Sequence, residues 1–175
     1  MDFRTFIRTI PDFPKPGIRF RDITPLLASG AAFRHVIGLL ADRYAGKVDK
    51  VIGIEARGFL FGAPVAHALG AGFVPVRKPG KLPGEAIGHD YQLEYGSSRV
   101  ELHADGIAKG ERVVVIDDVL ATGGTARAAL ALADCVGAKV VECAFVIELA
   151  DLPGRARLEA MGYRVHALCA FSESE

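Results

Sequence analysis

Two adjacent carboxylates and a cluster of glycines and threonines stand close together in one stretch of the chain, DDVLATGGT. Asp117 and Asp118 can accept hydrogen bonds from two neighbouring hydroxyls of a sugar, as acidic residues do for ribose in dinucleotide-binding folds. Residues 122–125 offer backbone N–H groups and threonine hydroxyls of the kind that hold a phosphate. A ribose 5-phosphate satisfies both halves of the stretch, and the residue types therefore predict a site for such a ligand.

The neighbouring residues indicate which elements position this stretch. Val113–Ile116 is a run of β-branched apolar residues, which is typical of a buried strand in a parallel sheet, and Asp117 and Asp118 stand where that strand should end. Small and apolar residues recur at helical spacing from Gly124 to Val136, so the glycines open a helix. The positive end of the helix dipole favours an anion there.

The two common phosphate-binding motifs do not fit this stretch. A P-loop needs a lysine after its glycines, and none follows here; the dinucleotide motif GxGxxG is absent, since GAGFVP at 70–75 lacks the third glycine and precedes a strand. An ordinary strand-end turn with a helix-capping acid would account for a single aspartate. It does not account for two aspartates followed by Thr-Gly-Gly-Thr.

The rest of the chain alternates between strand and helix patterns. This alternation predicts an α/β fold, with a mostly parallel twisted sheet flanked by helices. Strands are expected at 50–55, 72–78, 98–103, 113–116, 139–149 and 163–171. Helices are expected from Ser29 to Tyr44, over 57–70 and 124–136, and briefly from Pro153.

Two segments break the alternation. The first 25 residues contain four of the 9 prolines, which favours an extended arm over a helix. Residues 79–96 combine prolines, glycines and charges, and we expect a long mobile surface loop there. Loops of that length in compact domains often act as lids over a site.

Composition narrows the class of protein. The chain has 175 residues, 50% of them hydrophobic, which suits one domain, and its 21 basic and 21 acidic residues balance. A nucleic-acid binder usually carries a basic excess. No stretch has the apolar length of a signal peptide or membrane span. Three scattered cysteines without zinc-site spacing favour reduced thiols, and hence a cytoplasmic protein.

The motifs together resemble those of the type I phosphoribosyltransferases, most of all the members that act on adenine. DDVLATGGT resembles their phosphoribosyl-pyrophosphate (PRPP) signature, and GIEARGFLFG their pyrophosphate loop. FPKPGIRFRDITPLL, VRKPGKLPG and YQLEYG resemble the family's N-terminal segment, its next basic strand end and its catalytic loop. The resemblance implies one domain over 1–175, with a base-binding hood at 1–28 and a flexible catalytic loop at 79–96.

That resemblance also implies an activity and roles for individual residues. The reaction would transfer the phosphoribosyl group of PRPP to adenine, giving AMP and pyrophosphate in purine salvage. Asp117 and Asp118 would bind the ribose hydroxyls. The 5-phosphate would be wrapped by Ala121, Thr122, Gly123, Gly124 and Thr125. The diphosphate would face Arg57, Arg77, Lys78 and Lys81, and the family often has a non-proline cis peptide before that first arginine.

The remaining implied roles concern the base, the proton and the metal. Main-chain groups of Arg19 and Arg21 would read adenine beside the ring of Phe20; an oxopurine has the reverse hydrogen-bonding polarity. Glu94, with Tyr95 beside it, would take the imidazole proton as general base, or else only orient the base. Mg²⁺ would neutralise the diphosphate through phosphate, hydroxyl and water oxygens.

Three alternative functions stay open at this point. A phosphoribosyltransferase for xanthine, guanine or hypoxanthine would share the fold, and FRDIT and LEYG favour adenine over these bases. A regulatory PRPP-sensing protein would usually add a winged helix or a basic face. If the chain were a purely structural α/β domain, the presence of four motifs in the family's order would be a coincidence. The resemblance further implies a homodimer with the Arg57 loop near its interface.

Overall fold

The computed structural model describes residues 1–92 and 96–172. Its strands are β1 (Arg8–Ile10), β2 (Phe20–Asp22), β3 (Lys50–Ile54), β4 (Gly72–Val76), β5 (Ala86–Gln92), β6 (Ser97–His103), β7 (Arg112–Leu120), β8 (Lys139–Leu149) and β9 (Val165–Phe171). Its α-helices are α1 (Thr24–Ala28), α2 (Gly30–Tyr44), α3 (Arg57–Leu69), α4 (Gly124–Cys135) and α5 (Gly154–Ala160). A single 3₁₀ turn covers Phe3–Phe6.

Five strands form the central sheet, in the order β4-β3-β7-β8-β9, and every pairing in it is parallel. The α/β class expected from the alternating patterns is thereby confirmed. Two antiparallel hairpins stand outside this sheet: β1 pairs with β2, and β5 pairs with β6. Among the described residues, no helix has the length and apolar character needed to cross a membrane.

Apolar layers lie on both faces of the sheet. On one face α2 and α3 pack against even-numbered residues of β7 such as Val114 and Ile116. On the other face α4 and the β5–β6 hairpin pack against Val113 and Val115. Because side chains alternate across a strand, a strand buried on both faces reads as the unbroken apolar run seen in the sequence. The rigid sheet therefore fixes where the end of β7 lies.

Most predicted elements agree with the structure to within a few residues. Helix α2 begins directly after Ser29, whose hydroxyl accepts a hydrogen bond from the Ala32 N–H at 3.3 Å, and β8 has the predicted bounds. The strand predicted over 113–116 is longer than expected, since β7 runs to Leu120 and contains both aspartates. It continues because β8 offers a long parallel partner, with Leu120 opposite Glu148.

The two irregular segments contain more regular structure than predicted. Residues 86–92 form β5 inside the segment that was expected to be a loop, because they pair in register with β6. The N-terminal segment is a short 3₁₀ turn and the β1–β2 hairpin instead of a simple extended arm. Prolines remain outside these strands: Phe13–Pro14 is a cis peptide in the connection between β1 and β2.

Candidate functional site

The predicted site residues converge on the edge of the sheet where the parallel strands β3, β4 and β7 end. Arg57 begins α3 shortly after β3, and Arg77 and Lys78 follow β4 directly. Asp117 and Asp118 occupy the last part of β7, which lies beside β3 in the sheet. Three segments that are far apart in sequence thus meet at the edge where open α/β sheets bind their ligands.

The two aspartates have different surroundings. Asp118 is 3% exposed, and Arg57 Nε lies 2.7 Å from its Oδ2 in an ion pair that lacks hydrogen-bond geometry. Asp117 is partly exposed to solvent and lines the same small cavity as the loop that follows β7, and its Oδ1 accepts a hydrogen bond from the Asp118 N–H at 2.9 Å. Both carboxylates therefore keep oxygen lone pairs for a ligand's hydroxyls.

The pair resists ionisation. Burial raises the pKa of Asp117 well above its ordinary value, and the neighbouring Asp118 carboxylate raises it further. Burial also raises the pKa of Asp118, while the Arg57 guanidinium opposes that change. The surroundings of both acids therefore oppose their negative charge, and the cation beside Asp118 partly compensates for this.

The loop after β7 forms a small cradle at the start of α4. Gly123 is the residue before the helix and has φ of 81°, a left-handed conformation that favours glycine. No side chain caps the first turn of α4, so its backbone N–H groups have no side-chain acceptor. Residues 119–126, with Asp117 and Phe145, enclose about 90 Å³, roughly the room of three water molecules.

Helix α5 supports this cradle from outside. A Cβ on Gly154 would lie 2.3 Å from the Ala121 carbonyl oxygen, so the loop can pack this closely only against glycine. The Arg157 Nη1 group donates to the Thr122 carbonyl oxygen at 3.0 Å. Because C=O and N–H point in opposite directions across a trans peptide, this bond fixes the direction of the Gly123 N–H as well.

The hairpin β1–β2 places Phe20 close to Arg57. The Arg57 guanidinium carbon lies 5.2 Å from the centre of the Phe20 ring, and Phe13 packs edge-on against the same ring at 5.2 Å. Arg57 thus lies between the acidic pair and the ring predicted to contact the base. Arg19 is exposed at the end of the connection that leads into β2.

The side chain of Arg21 has a structural use that the sequence does not indicate. It is 5% exposed, lies 4.3 Å from the Phe171 ring centre, and donates to Thr9 Oγ1 at 2.5 Å and to the Ser172 carbonyl at 3.0 Å. These contacts attach the hairpin to β9. Beside them is a cavity of about 350 Å³, lined by Gly17, Ile18, Arg19, Arg21, Leu149, Asp151, Leu152, Phe171 and Ser172.

The basic residues after β4 are organised by Glu55. This carboxylate accepts hydrogen bonds from the Lys78 N–H at 2.9 Å and from Arg77 Nε at 3.2 Å, and Arg77 Nη1 also donates to the Lys81 carbonyl. Burial opposes ionisation of Glu55, but these donors prevail and lower its pKa. Lys78 and Lys81 are exposed at this edge, whereas Arg77 mainly holds their loop in place. The peptide between Glu55 and Ala56 is cis.

The two residues predicted to act on the proton, Glu94 and Tyr95, lie outside the described residues. The chain on either side belongs to the β5–β6 hairpin, whose Tyr91 reaches the cradle: the hydroxyls of Thr125 and Tyr91 lie 3.4 Å apart. The structure therefore brings the acidic pair, the cradle, Arg57 and Phe20 together, with the lysines at the same edge.

Comparison with known proteins decides the family. A model of the phosphoribosyl transferase domain matches residues 22–165. The adenine phosphoribosyltransferase of Methylobacillus flagellatus is 57% identical over 176 residues, covering 100% of both chains. The chain belongs to the phosphoribosyltransferase family, among the adenine phosphoribosyltransferases.

Solved phosphoribosyltransferase structures have the same fold. A crystal structure of the adenine phosphoribosyltransferase from Thermoanaerobacter pseudethanolicus superposes with a TM-score of 0.93 at 50% identity, covering 97% of this chain and 98% of that one. The Saccharomyces cerevisiae enzyme, complexed with an imino-altritol bisphosphate and adenine, has a TM-score of 0.89 at 40% identity, covering 95% and 96% of the two chains. The expected type I phosphoribosyltransferase fold is confirmed.

Several residues of this phosphoribosyltransferase site were missed from the sequence. Glu55 stands within the GIEAR motif, and its place after a buried strand was a usable signal. Gly154, Arg157 and Tyr91 have no such signal, because each acts on the cradle from a segment about thirty residues away along the chain. Only the fold brings those segments into contact.

Proposed function

We propose that this chain transfers the phosphoribosyl group of PRPP to adenine at the edge formed by β3, β4 and β7, giving AMP and pyrophosphate. The observation that carries the proposal is the acidic pair in the last part of β7, followed after a short loop by an uncapped helix N-terminus, with Arg57 Nε 2.7 Å from Asp118 Oδ2. Amides for the 5-phosphate, acids for the diol and cations for the diphosphate then stand in the order in which PRPP presents these groups.

In the reaction, a bond forms between adenine N9 and the anomeric carbon while the bond from that carbon to the pyrophosphate oxygen breaks. The electron pair of the broken bond leaves with pyrophosphate, and the imidazole ring of adenine loses one proton. Positive charge develops on the sugar ring in between, as it does at glycosidic centres generally. The protein has to hold sugar, base and leaving group in line and exclude water.

Asp117 and Asp118 would hold the ribose hydroxyls, and Ala121–Thr125 would hold the 5-phosphate. Support comes from Asp118 Oδ2, which accepts no hydrogen bond from the described residues, and from the uncapped N–H groups at the start of α4. Arg57 would move from Asp118 to the diphosphate when the diol takes its place beside the acid. Lys78 and Lys81, exposed at the same edge, would meet the diphosphate, and Arg77 would hold their loop.

Adenine would lie against Phe20 and be read by main-chain groups of Arg19 and Arg21. Support comes from the proximity of Phe20 to Arg57 and from the anchoring of β2 through the buried Arg21 side chain. A main-chain donor and acceptor held this way match adenine. An oxopurine would leave them unpaired, at about 1–3 kcal/mol per group.

Mg²⁺ fits the donor set of this site. It would be held by diphosphate and hydroxyl oxygens of PRPP, with Asp117 and Asp118 binding the hydroxyls that it shares. Bound there, it would neutralise charge on the leaving group. Among the residues that the structure describes, no group of three His, Cys, Asp or Glu side chains is arranged to hold a metal.

A homodimer and a cytoplasmic location complete the proposal. Leu60 is 44% exposed on α3, three residues after Arg57, which supports an interface beside the pyrophosphate loop. Cys135, Cys143 and Cys169 are free thiols, as expected in a reducing compartment.

Incubation of the protein with PRPP and Mg²⁺ plus one purine at a time tests the proposal. We expect AMP and pyrophosphate with adenine and little product with guanine, hypoxanthine or xanthine. A preference for an oxopurine would point to a different phosphoribosyltransferase. Binding of PRPP without transfer to any base would point to a PRPP-sensing regulatory protein.

The role of Glu94 as general base has its own test. Glu94→Ala should lower kcat by about 100-fold or more, the usual contribution of a general base, while the Kd for PRPP stays within about twofold. Glu85→Ala serves as the control, because it removes an exposed carboxylate earlier in the 79–96 segment. An unchanged kcat in Glu94→Ala would remove the proton-transfer role and leave adenine positioning.

A further inference from the structure

Tyr91 connects the β5–β6 hairpin to the phosphate cradle. Its hydroxyl lies 3.4 Å from Thr125 Oγ1, which donates to it. Its ring lies over the first residue of α4: a Cβ on Gly124 would be 3.5 Å from Tyr91 Cδ2, an ordinary van der Waals contact. The ring is half-buried and packs with the apolar layer on the α4 side of the sheet. A polar group and a flat apolar face thus meet the cradle together.

The pairing of the two hydroxyls has a consequence for anion binding. A hydroxyl has one proton to donate and two lone pairs that accept. In this structure the Thr125 hydroxyl donates its hydrogen bond to the Tyr91 hydroxyl. A phosphate dianion would be a far stronger acceptor of that hydrogen bond. When Thr125 donates its hydrogen bond to the anion instead, the Tyr91 hydroxyl can rotate and donate to Thr125 Oγ1. The threonine oxygen then still accepts a hydrogen bond.

We propose that Tyr91 is a positioning residue for the 5-phosphate: it orients the Thr125 hydroxyl and passes a hydrogen bond through it to the bound anion. The inference rests on the proposed function, because it assumes that residues 121–125 hold the phosphate ester of the substrate. It adds a residue from outside the PRPP signature to the recognition of that ester. The recognised chemistry is a sugar phosphate monoester, not the diphosphate of the leaving group.

Direct binding separates this role from general support of the fold. We would measure the Kd of ribose 5-phosphate and of pyrophosphate by calorimetry, for the wild type and for Tyr91→Phe, which keeps the ring and removes only the hydroxyl. We expect Tyr91→Phe to weaken ribose 5-phosphate about threefold to tenfold, the net worth of one hydrogen bond, and to leave pyrophosphate unchanged. In turnover, KM for PRPP should rise with kcat unchanged.

Tyr163→Phe is the matched control. The Tyr163 hydroxyl bonds to Asp134 between α4 and the segment before β9, and none of its contacts reaches the cradle in the part of the chain described. Both Kd values should stay at their wild-type levels in this variant. A loss of ribose 5-phosphate affinity in Tyr163→Phe equal to that in Tyr91→Phe would overturn the inference.

A double-mutant cycle with Thr125→Val tests the route through Thr125. If Tyr91 acts through that hydroxyl, removing the Tyr91 hydroxyl in the Thr125→Val background has no further effect on ribose 5-phosphate. Equal losses for both anions in Tyr91→Phe, or additive losses in the cycle, would contradict the assignment. Wild-type protein that binds no ribose 5-phosphate would overturn the proposed function itself, together with this inference.

Discussion

At the scale of single residues, Asp117 is placed where its surroundings oppose its charge. Protein atoms replace much of its hydration, and the carboxylate of Asp118 is its neighbour in the chain. Gly58 packs so closely against it that a Cβ there would lie 2.9 Å from Asp117 Oδ1. A side chain chosen only for stability would not be an acid here. An acid that costs stability at this position is consistent with the hydroxyl-binding role proposed for it.

This cost predicts a stability change with a defined sign for Asp117→Asn. Because the pKa of Asp117 is raised in the folded chain, there is a pH range just above the ordinary pKa of aspartate in which folded Asp117 keeps its proton and unfolded Asp117 has lost it. The free energy of unfolding therefore falls as pH rises through the folded-state pKa of Asp117. Asparagine can still accept the Asp118 N–H bond and has no charge. We expect a higher Tm than wild type, with a larger gain at pH 8 than at pH 5. For a chain of this length, each kcal/mol added to the free energy of unfolding raises the Tm by about 2–4 °C.

The same variant should bind PRPP less well. Losing one charge-assisted hydrogen bond to a ribose hydroxyl should raise the Kd about tenfold or more, measured by calorimetry. Asp42→Asn, which changes an exposed carboxylate on α2, is the control for both measurements. A lower Tm together with an unchanged Kd would show that Asp117 is a structural residue.

At the scale of elements, the cradle after β7 depends on α5 as much as on α4. Gly154 and Gly123 meet backbone to backbone, since a Cβ on Gly123 would lie 3.2 Å from the Cα of Gly154. The Arg157 bond to the Thr122 carbonyl adds a second tie between the same two segments. A short helix that contributes no predicted ligand group thus sets the curvature of the loop.

Gly154→Ala tests this dependence. The new Cβ would meet the Ala121 carbonyl oxygen at 2.3 Å and Leu120 Cδ1 at 2.8 Å, so the loop has to shift away from α5. Overpacking of this kind lowers stability by about 1–3 kcal/mol, and a displacement near 1 Å in a substrate-holding loop can reduce turnover about 100-fold. We expect kcat/KM for PRPP to fall by that order while KM for adenine changes little.

Gly38→Ala is the matched control for that substitution. Gly38 lies inside α2, and a Cβ added to it would have nothing within 4 Å, so alanine should be neutral or slightly stabilising there. If Gly154→Ala keeps wild-type kcat/KM for PRPP, the cradle does not depend on its contact with α5.

Elements were predictable from the sequence where one local pattern dominates. The unbroken apolar run of β7 and the helical spacing of α2 needed no knowledge of partners. β5 was missed because His89, Asp90 and Gln92 make it look like a polar loop, and only its pairing with β6 makes it a strand. The end of β7 was placed too early for the same reason: the pairing with β8, not local composition, carries the strand on to Leu120.

At the scale of the whole molecule, the sheet order determines which residues can share a site. The strands before Arg57 and Arg77 and the strand that contains the acidic pair are neighbours in the order β4-β3-β7, although the sequence separates them by many residues. The motifs predicted which residues bind the ligand, but neither spacing nor composition revealed the Arg57–Asp118 contact. That contact requires α3 to start next to β7, which is a property of the folded chain.

The α3 surface also carries a prediction for assembly. Leu60 is exposed on the helix that Arg57 begins, so it is the residue at which to test the interface of the proposed homodimer. Leu60→Asp would place a charge in that interface, and we expect light scattering to show a shift from dimer to monomer, with a loss of turnover because Arg57 lies on the same helix. Leu39→Asp, which alters a similarly exposed leucine of α2 (38% against 44%), should leave the mass and activity unchanged. If the dimer persists in Leu60→Asp but dissociates in Leu39→Asp, the interface involves α2 instead of α3. The Arg57 loop would then not lie at the interface.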